Sequence, residues 1–351
     1  MLLEEYKTVI SFDDHVLGSP AILKYNDAHL FVYDSQLKKV LKIDLQGTVV
    51  NEYGGEGRGP GEFVGVSDFF LADGELYIVD LNQFLIHVFE QEGRFNSSFA
   101  FTPPANRLPP PAPLPPTPPH IERFVGSAFM YNFDNQTHVT PGGDVLLPVA
   151  SAPDATVLYE VNDRQGNVHA SIGNVPERDR FTVDFRDYRS AIANREVPAV
   201  SRLNTFLVRD KSNPKEYFLI YSAIPKIEKY NLSGAKLWET EIPLNQEIES
   251  VERFFYESAD YILDIVDMII PLRKYRAGVS SRNGELYLAT HAYSEDDKRL
   301  TLHHFSGSGV LQRRIQLTSD TAFLPIFDVD HAAGTLFIAT EDAEIRAYRM
   351  P

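Results

Sequence analysis

The sequence has no cysteine, only four methionines and a single tryptophan among its 351 residues. Without cysteine there is no disulfide framework, no thiolate metal ligand and no cysteine nucleophile. No apolar run approaches the roughly 18 residues that a membrane-spanning helix requires. The N-terminal MLLEE also lacks the basic and apolar parts of a signal peptide. We therefore predict no membrane span, and a cytoplasmic protein unless a leader has been removed from a longer precursor.

Positive charge is also scarce. Lysine and arginine together number 33 against 49 aspartates and glutamates, which leaves a net charge of −16. Such a chain repels the phosphates of nucleic acids and the headgroups of anionic lipids, so sequence-independent binding to either is disfavoured. We predict no nucleic-acid partner. The length and the 43% hydrophobic content are sufficient to bury a sizeable core.

Short apolar runs separated by glycine turns are what the sequence does contain. One stretch has four such runs in a row, at residues 66–71, 76–81, 84–89 and 95–101. Asp73-Gly74 and Glu92-Gly93 separate two of the pairs. Dipeptides of this kind between aromatic and β-branched runs indicate tight hairpins, because glycine adopts positive φ without a Cβ penalty. Four antiparallel strands in about 40 residues predict one blade of a β-propeller.

The same pattern recurs along the whole chain. Six second strands align as LFVYD, LYIVD, LLPVA, FLIYS, LYLAT and LFIAT. The last unit has only three strands, and residues 6–12 form a spare strand at the N-terminus. We predict an all-β, single-domain, six-bladed β-propeller over residues 1–351, built of four-stranded antiparallel blades. The spare strand would complete the last blade as its outer strand, which closes the ring and leaves no open blade edge.

The residue pattern of the second unit resembles that of a known family. The run GEGRGPGEF at residues 55–63 is followed by DGELYIVD at 73–80 and IHVFEQEG at 86–93. This pattern is similar to that of the NHL-repeat propellers, and more closely to six-bladed propeller proteins of the bacterial cell envelope. The resemblance implies a periplasmic or cell-surface location for a mature chain. Because a propeller hosts many activities, it leaves the function open.

The two faces of such a ring differ in their connections. With strands a to d counted outward from the channel, the a–b and c–d turns share one face, here called the tight-turn face. The b–c corners and d–a connections share the other face, here called the insertion face. The long segments all fall on the insertion face, at residues 54–65, 102–127, 173–204 and 243–274. Long loops on a compact scaffold are usually functional, so we predict the insertion face as the working face.

The insertions differ in character. Residues 102–119 contain ten prolines, and we predict an extended polyproline II bridge over the surface. A short helix is predicted near residues 188–195. Apolar residues at three- and four-residue spacing predict a longer helix within 243–274, either packed on the propeller rim or forming a lid over the channel. These residues are Ile248, Val251, Phe255, Ala259, Ile262, Val266 and Ile269.

Sequence motifs for catalysis or metal binding are weak. Calcium-dependent lactonases among six-bladed propellers would require a glutamate on the first inner strand, yet residues 21–25 (AILKY) contain no carboxylate. Asp68, Asp328 and Asp330 lie on or near inner strands without the accompanying asparagines. His303 and His304 are adjacent on a strand and point to opposite faces, so they cannot share a metal ion. We predict no catalytic residues and no metal ligands, and calcium at the channel mouth stays as the alternative.

Two functions from different classes remain open. The favoured one is a non-catalytic binding or scaffolding propeller that holds a protein, peptide or glycan partner on its insertion face. The alternative is a calcium-dependent, lactonase-like hydrolase or lyase with its site at the channel mouth. The residues predicted to contact a partner share the insertion face; they are Arg58, Glu62, Asp80, Asn82, Arg273, Arg276 and His291. The sequence does not indicate an oligomeric state.

Overall fold

The computed structural model describes eleven stretches of the chain: residues 1–3, 6–11, 14, 16–101, 136–140, 142–149, 155–177, 185–243, 245–265, 268–291 and 299–350. These residues form six antiparallel sheets arranged as the blades of a propeller, which confirms the predicted fold class. The proline-rich residues 102–119 lie outside the described residues, so their predicted conformation stays a prediction.

The first three blades follow the chain in order, each with strand a innermost. Blade 1 consists of β3 (Pro20–Asn26), β4 (His29–Asp34), β5 (Lys39–Asp44) and β6 (Val49–Tyr53). Blade 2 consists of β7 (Val66–Ala72), β8 (Glu75–Asp80), β9 (Leu85–Glu90) and β10 (Phe95–Ala100). Blade 3 consists of β11 (His138–Val139), β12 (Val145–Pro148), β13 (Val157–Asn162) and β14 (Val168–Asn174).

The other three blades repeat the arrangement. Blade 4 consists of β15 (Thr205–Arg209), β16 (Glu216–Tyr221), β17 (Lys226–Asn231) and β18 (Lys236–Glu241). Blade 5 consists of β19 (Ala277–Ser280), β20 (Leu286–His291), β21 (Leu300–Phe305) and β22 (Leu311–Leu317). Blade 6 consists of β23 (Phe323–Asp330), β24 (Thr335–Thr340), β25 (Ile345–Arg349) and β2 (Tyr6–Ile10).

The N-terminal segment closes the ring. Strand β2 pairs antiparallel with β25, with Tyr6 opposite Tyr348 and Thr8 opposite Arg346, as predicted. Ile10 at the end of β2 is fully buried, so the closing strand contributes to the core as well as to the hydrogen-bond ladder. The predicted strand extended to residue 12, which lies outside the described residues.

One pairing was not predicted. Strand β1 (Leu2–Leu3) adds a fifth strand to blade 5 by pairing in parallel with β22. The Met1 ammonium group donates to the Arg314 carbonyl oxygen at 3.0 Å. The N-terminal segment therefore contacts two successive blades before the first blade begins.

The core lies between the blades, where the faces of neighbouring sheets meet. Between blades 1 and 2, aromatic rings interlock: Tyr53 meets Phe89 edge-on at 5.9 Å, and Phe63 meets Tyr33 edge-on at 6.3 Å. Phe63 belongs to the glycine-rich connection at residues 54–65 and is fully buried. This connection is therefore a structured inter-blade corner, and its buried ring packs into the core.

Three described helices interrupt the β-structure: α1 (Phe185–Ala193), α2 (Ala199–Arg202) and α3 (Gln246–Ile265). They come from the third and fourth insertions, and α1 and α3 confirm the two predicted helices. Helix α3 ends earlier than the spacing predicted; Val266 lies outside the described residues.

Helices α1 and α3 pack against each other in antiparallel orientation and form what we call the helical cap. The Arg189 guanidinium donates to the Leu263 carbonyl oxygen at 3.2 Å, and Arg195 pairs with Asp260 at 2.7 Å. Apolar side chains of both helices pack with Ala223, which lies in the b–c corner of blade 4. The helical cap therefore stands on the insertion face, above the rim of the ring.

Blade 5 buries a histidine, and its burial predicts that the stability of the protein depends on pH. His303 is fully buried; its Nδ1 lies 2.8 Å from the Tyr275 hydroxyl and its Nε2 lies 3.5 Å from Asn245 Nδ2. Burial lowers the pKa of His303 to about 4, although nearby Glu247 opposes the shift. The neutral ring is thus favoured in the folded protein, while the unfolded chain protonates it near pH 6.5.

We therefore expect the contribution of neutral His303 to the free energy of unfolding to be fully present above about pH 6.5. This contribution is lost as the pH falls towards 4. Between pH 7 and 4.5, His303 should account for about 2–3 kcal/mol of lost unfolding free energy. Chemical denaturation at both pH values checks this, with His303→Gln as the comparison. An equal pH dependence in the two proteins would contradict the assignment.

Candidate functional site

Four of the predicted contact residues lie together at the corner between blades 1 and 2. Arg58, Glu62 and Asn82 are exposed. Glu62 accepts a hydrogen bond from the Gly59 amide at 2.8 Å. Asp80 is fully buried. This group contains both surface side chains and a buried carboxylate, and the two kinds have different roles.

Asp80 joins the corner to its own blade. Its carboxylate accepts from the backbone amides of Val64 at 2.7 Å and Gly65 at 3.3 Å, both in the insertion. It also accepts from the amides of Asn82 at 2.9 Å and Gln83 at 3.1 Å, and from the Gln83 side chain at 2.9 Å. All of these are local structural contacts. The contribution of Asp80 to the insertion face is to hold the 54–65 corner in place.

Asp34 repeats this device one blade earlier. Its carboxylate accepts from the amides of Gly18 at 2.6 Å and Ser19 at 2.9 Å, before the blade begins. It also accepts from the amides of Gln36 and Leu37, each at 2.9 Å. An aspartate that ends strand b thus anchors the preceding d–a connection in both blades.

The remaining predicted contacts lie on blade 5. Arg273 and Arg276 precede β19 and are 8% and 5% exposed. Lys274 between them is also buried and pairs with Glu252 of α3 at 2.6 Å. These cations lie beneath the surface, although Arg273 and Arg276 were predicted to contact a partner. His291 is the last residue of β20, and its side chain lies outside the described part of the chain.

The seven predicted residues therefore form two groups. Blades 2 and 5 stand on opposite sides of a six-bladed ring, so Arg58 and Glu62 lie far from Arg273 and Arg276. All seven belong to elements of the insertion face, but they do not converge on one point. Among the side chains that the structure describes, the exposed ones are those of Arg58, Glu62 and Asn82 in the first group.

The helical cap adds exposed apolar surface that the sequence analysis did not select. Tyr261 and Ile265 of α3 are each 46% exposed, and Phe185 of α1 is 36% exposed. Tyr261 and Ile265 are four residues apart and share one face of α3. Phe185 lies one turn before Arg189, at the end of α1 nearest to the C-terminus of α3. These three side chains form what we call the cap patch.

A second candidate site is the central channel. A cavity of about 970 Å³ is lined by the innermost strands of the blades and by their a–b turns. Of the described residues that line it, none belongs to α1, α2 or α3. The cavity extends to the tight-turn face, where Asp27, Asp73, Arg282 and His331 surround its mouth. It is therefore open on the face opposite to the helical cap, and the helices are not a lid over it.

Cross-blade ion pairs line the middle of the channel. Lys24 of blade 1 lies 2.5 Å from Asp68 of blade 2, and His138 of blade 3 lies 3.5 Å from the other carboxylate oxygen. Burial alone would raise the pKa of Asp68, but the attraction of Lys24 and the hydrogen bond from His138 lower it well below its usual range. The carboxylate is therefore ionised at neutral pH.

A second ion pair in the channel joins two blades that are not neighbours. Lys211, in the a–b turn of blade 4, reaches Asp328 of blade 6 at 2.6 and 2.8 Å. Blade 5 lies between them, and its inner strand carries only small and aliphatic residues, AGVS. Asp328 also accepts from the Tyr25 amide of blade 1 at 2.7 Å. These contacts connect three blades around one buried carboxylate.

The mouth of the channel is bridged by exposed groups. Arg282 of blade 5 pairs with Asp27 of blade 1 at 2.5 Å and also reaches Asn26 at 2.9 Å. The Tyr25 hydroxyl donates to Asp330 at 2.6 Å. Burial and this bond to a carboxylate raise the pKa of Tyr25 to about 12, so the hydroxyl keeps its proton.

These pairs bear on the predicted alternative of a calcium site. Asp68 and Asp328 are the carboxylates in the middle of the channel, and each is neutralised by a lysine. Within the described ranges, no three or more His, Asp or Glu side chains lie close enough together to hold a metal ion. Lysine ammonium groups repel a cation in the middle of the channel, and calcium at the channel mouth stays a prediction.

The sequence analysis placed Asp68, Asp328 and Asp330 near the channel, and the structure brings all three into its lining. It missed Lys24 and Lys211. A charged residue within an otherwise apolar inner strand was the available signal for Lys24. Lys211 follows a strand in a turn, where lysine is common, and carries no such signal.

Comparison with known proteins agrees with this architecture. A family model described as a 6-bladed beta-propeller, DUF5128, matches residues 10–100. No curated protein matches the sequence. A candidate exported protein from Bacteroides fragilis is 11% identical over 100% of both chains, with a TM-score of 0.53. A member of the DUF4221 family from Bacteroides vulgatus is 11% identical over 99% of this chain and 94% of that chain, with a TM-score of 0.52.

The protein is thus a six-bladed β-propeller by fold, by family-model match and by structural likeness. At these identities the two structures are alike in fold alone. None of the described helices is long and apolar enough to cross a membrane.

Proposed function

We propose that this propeller is a non-catalytic binding or scaffolding protein that holds a protein partner on its insertion face. The observation that carries the proposal is the cap patch on the two packed helices. Tyr261 and Ile265 lie side by side on α3 and are almost half exposed, although the same helix buries seven other residues against the cap and the ring. Exposed aromatic and aliphatic anchors of this kind dominate the binding energy of protein interfaces.

Neighbouring charges would add specificity. Glu257 and Asp264 are exposed on α3, beside the cap patch. At the blade 1–2 corner, Arg58, Glu62 and Asn82 offer further polar contacts on the same face. Charges at the rim of an interface mainly select the partner and set its rate of association. Substitution of Arg58 should therefore weaken binding less than substitution of the cap patch.

We further propose that the chain works in the periplasm or at the cell surface. This rests on the resemblance of residues 55–93 to envelope propellers and on the fold shared with a candidate exported protein. Fractionation of the source cells with an antibody against the protein tests the location. Recovery with the cytoplasmic fraction alone would contradict it.

Site-specific photo-crosslinking in the source cells tests the binding proposal. A photoreactive amino acid at position 261 or 265 should give a discrete adduct with one protein. The same group at position 237, on the outer strand of blade 4, is a matched control because Leu237 is also 45% exposed. Position 92, in a c–d turn, samples the tight-turn face.

The adduct should be lost when Tyr261→Asp is introduced into the variant labelled at 265. The purified partner, once identified by mass spectrometry, should bind the Tyr261→Asp protein at least about tenfold more weakly, as expected for a central anchor. Adducts that form equally from positions 237 and 92 would contradict the proposal.

A further inference from the structure

Blade 2 contains a buried histidine without hydrogen-bond partners. His87 lies on β9 and is 1% exposed. Neither its Nδ1 nor its Nε2 has a hydrogen-bond partner among the described residues, and both atoms are shielded from solvent. A neutral imidazole has one N–H donor and one acceptor nitrogen, and buried polar groups of this kind are normally satisfied. The burial of this ring therefore costs free energy that no contact described here returns.

The same position in two other blades holds side chains that suit a buried site. Pairing with strand b identifies the equivalent residue of strand c as Leu41 in blade 1 and His303 in blade 5. Leu41 is buried and apolar. The ring nitrogens of His303 lie near the Tyr275 hydroxyl and Asn245. The fold therefore accepts leucine at this position, and the histidine of blade 2 is not required for packing.

Aromatic rings enclose His87. The ring centre of Phe63, in the 54–65 corner, lies 6.1 Å from that of His87, and the ring centre of Phe95, on β10, lies 6.3 Å away. Gly61 of the same corner lies directly against the Phe95 ring. The corner therefore packs on the His87 ring through two phenylalanines, one of its own and one of β10.

The charged and titratable groups around this ring come from β8, from the corner and from blade 1, while β10 (FNSSFA) contributes none. They are Asp80 at the end of β8, Glu56, Arg58 and Glu62 in the corner, and Tyr33, Lys42 and Tyr53 in blade 1. Burial lowers the pKa of His87 below its usual value of 6.5, and the charge of Asp80 opposes this shift. The ring is therefore neutral at pH 7.

A proton added to His87 would place a positive charge inside this aromatic enclosure, which is costly without a partner. The charge that attracts it belongs to Asp80. That carboxylate already accepts five hydrogen bonds, two of them from the corner amides of Val64 and Gly65. The imidazolium gains a partner when Asp80 turns away from those amides, or when Phe63 moves out and admits water. Either movement loosens the corner.

We propose that His87 is an acid-sensitive latch: its neutral ring holds the 54–65 corner closed, and protonation of the ring releases it. Because the corner carries Arg58 and Glu62, the exposed polar groups at this part of the insertion face keep one arrangement at neutral pH and lose it in acid. Any consequence for a partner rests on the proposed function. The release itself does not, since it is a property of the protein alone.

Amide hydrogen exchange at pH 7.5 and pH 5 tests the latch, with each rate expressed as protection relative to an unstructured chain at the same pH. An opened corner exposes His87, which then takes up a proton near pH 6.5. The contribution of the neutral ring is therefore fully present above that pH and decreases below it. Protection of the Val64 and Gly65 amides should fall about tenfold from pH 7.5 to pH 5.

The amides of Gly18 and Ser19 are the internal control. Asp34 anchors them through the same kind of hydrogen bond, and Leu41 stands where blade 2 has the histidine. Their protection should change less than about twofold over the same pH interval.

His87→Leu removes the titrating group and reproduces the arrangement of blade 1. The protection of its corner should be at least that of the wild type at pH 7.5 and should fall less than about twofold at pH 5. The matched control is His169→Leu, which removes an exposed histidine of β14 and should keep the tenfold fall. A fall of wild-type size in His87→Leu would overturn the latch.

The unsubstituted protein decides the question if His87→Leu does not fold. Equal protection of Val64 and Gly65 at the two pH values would overturn the proposal. An equal fall at Gly18 and Ser19 would also overturn it, because it would indicate general acid unfolding in place of a local release. Neither result bears on cross-linking from positions 261 and 265, which tests the proposed function.

Discussion

Deletion of residues 1–12 should destabilise the protein by about 3–6 kcal/mol and cause aggregation, because it removes the closing strand β2. Val9 and Ile10 are buried, and burial of each such side chain is worth about 1.5–3 kcal/mol. The deletion would also expose the ladder edge of β25, which is a template for pairing between molecules. Chemical denaturation and size-exclusion chromatography measure the two effects.

Deletion of residues 1–3 is the matched control. It removes only the two-residue parallel strand β1 and leaves β2 and the ring intact. We expect a loss of about 1 kcal/mol or less, since Leu2 is largely exposed and edge contacts contribute little. A melting temperature that does not change when all twelve residues are removed would refute ring closure by β2.

Asp80→Asn should cost about 2–4 kcal/mol of unfolding free energy, because the buried carboxylate accepts five hydrogen bonds and an amide can replace only part of them. The amide nitrogen would also face backbone donors. Glycine-rich residues 54–65 should then exchange their amide hydrogens faster, since their anchor is weakened. Thermal denaturation and hydrogen exchange together check both consequences.

Asp73→Asn in the same blade provides the comparison. Asp73 is exposed, with φ of 50°, in the a–b turn, and asparagine adopts this left-handed conformation readily. The unfolding free energy of the Asp73→Asn variant should differ from that of the wild type by less than about 0.5 kcal/mol. If Asp73→Asn and Asp80→Asn melt at the same temperature, the role assigned to the Asp80 hydrogen bonds is wrong.

The strands were predictable from the sequence because their signals are local. Alternation of apolar residues and glycine turns, such as Asp73-Gly74, defines each hairpin within a few residues. The spare N-terminal strand and the three-stranded last unit together predicted the ring closure. Strand β1 was not predictable, since two residues carry no periodic pattern and its partner lies at the far end of the chain.

The candidate sites were less predictable because they depend on contacts between blades. Lys211 is in a turn of blade 4, and only the curvature of the ring brings it to Asp328. Arg273 and Arg276 were predicted to contact a partner, but both are buried within the folded chain. Sequence patterns indicate which residues are in an insertion; they do not indicate how the insertion packs.

Amide hydrogen exchange of the protein with and without its cross-linked partner, purified after identification, tests the central claim most directly. The partner should protect α1, α3 and the 54–65 corner on the insertion face. The tight turns Asp73-Gly74, Asn283-Gly284 and Ser308-Gly309 should exchange at the same rate in both samples. Protection that appears only at those turns would show that the partner binds the opposite face and would contradict the account.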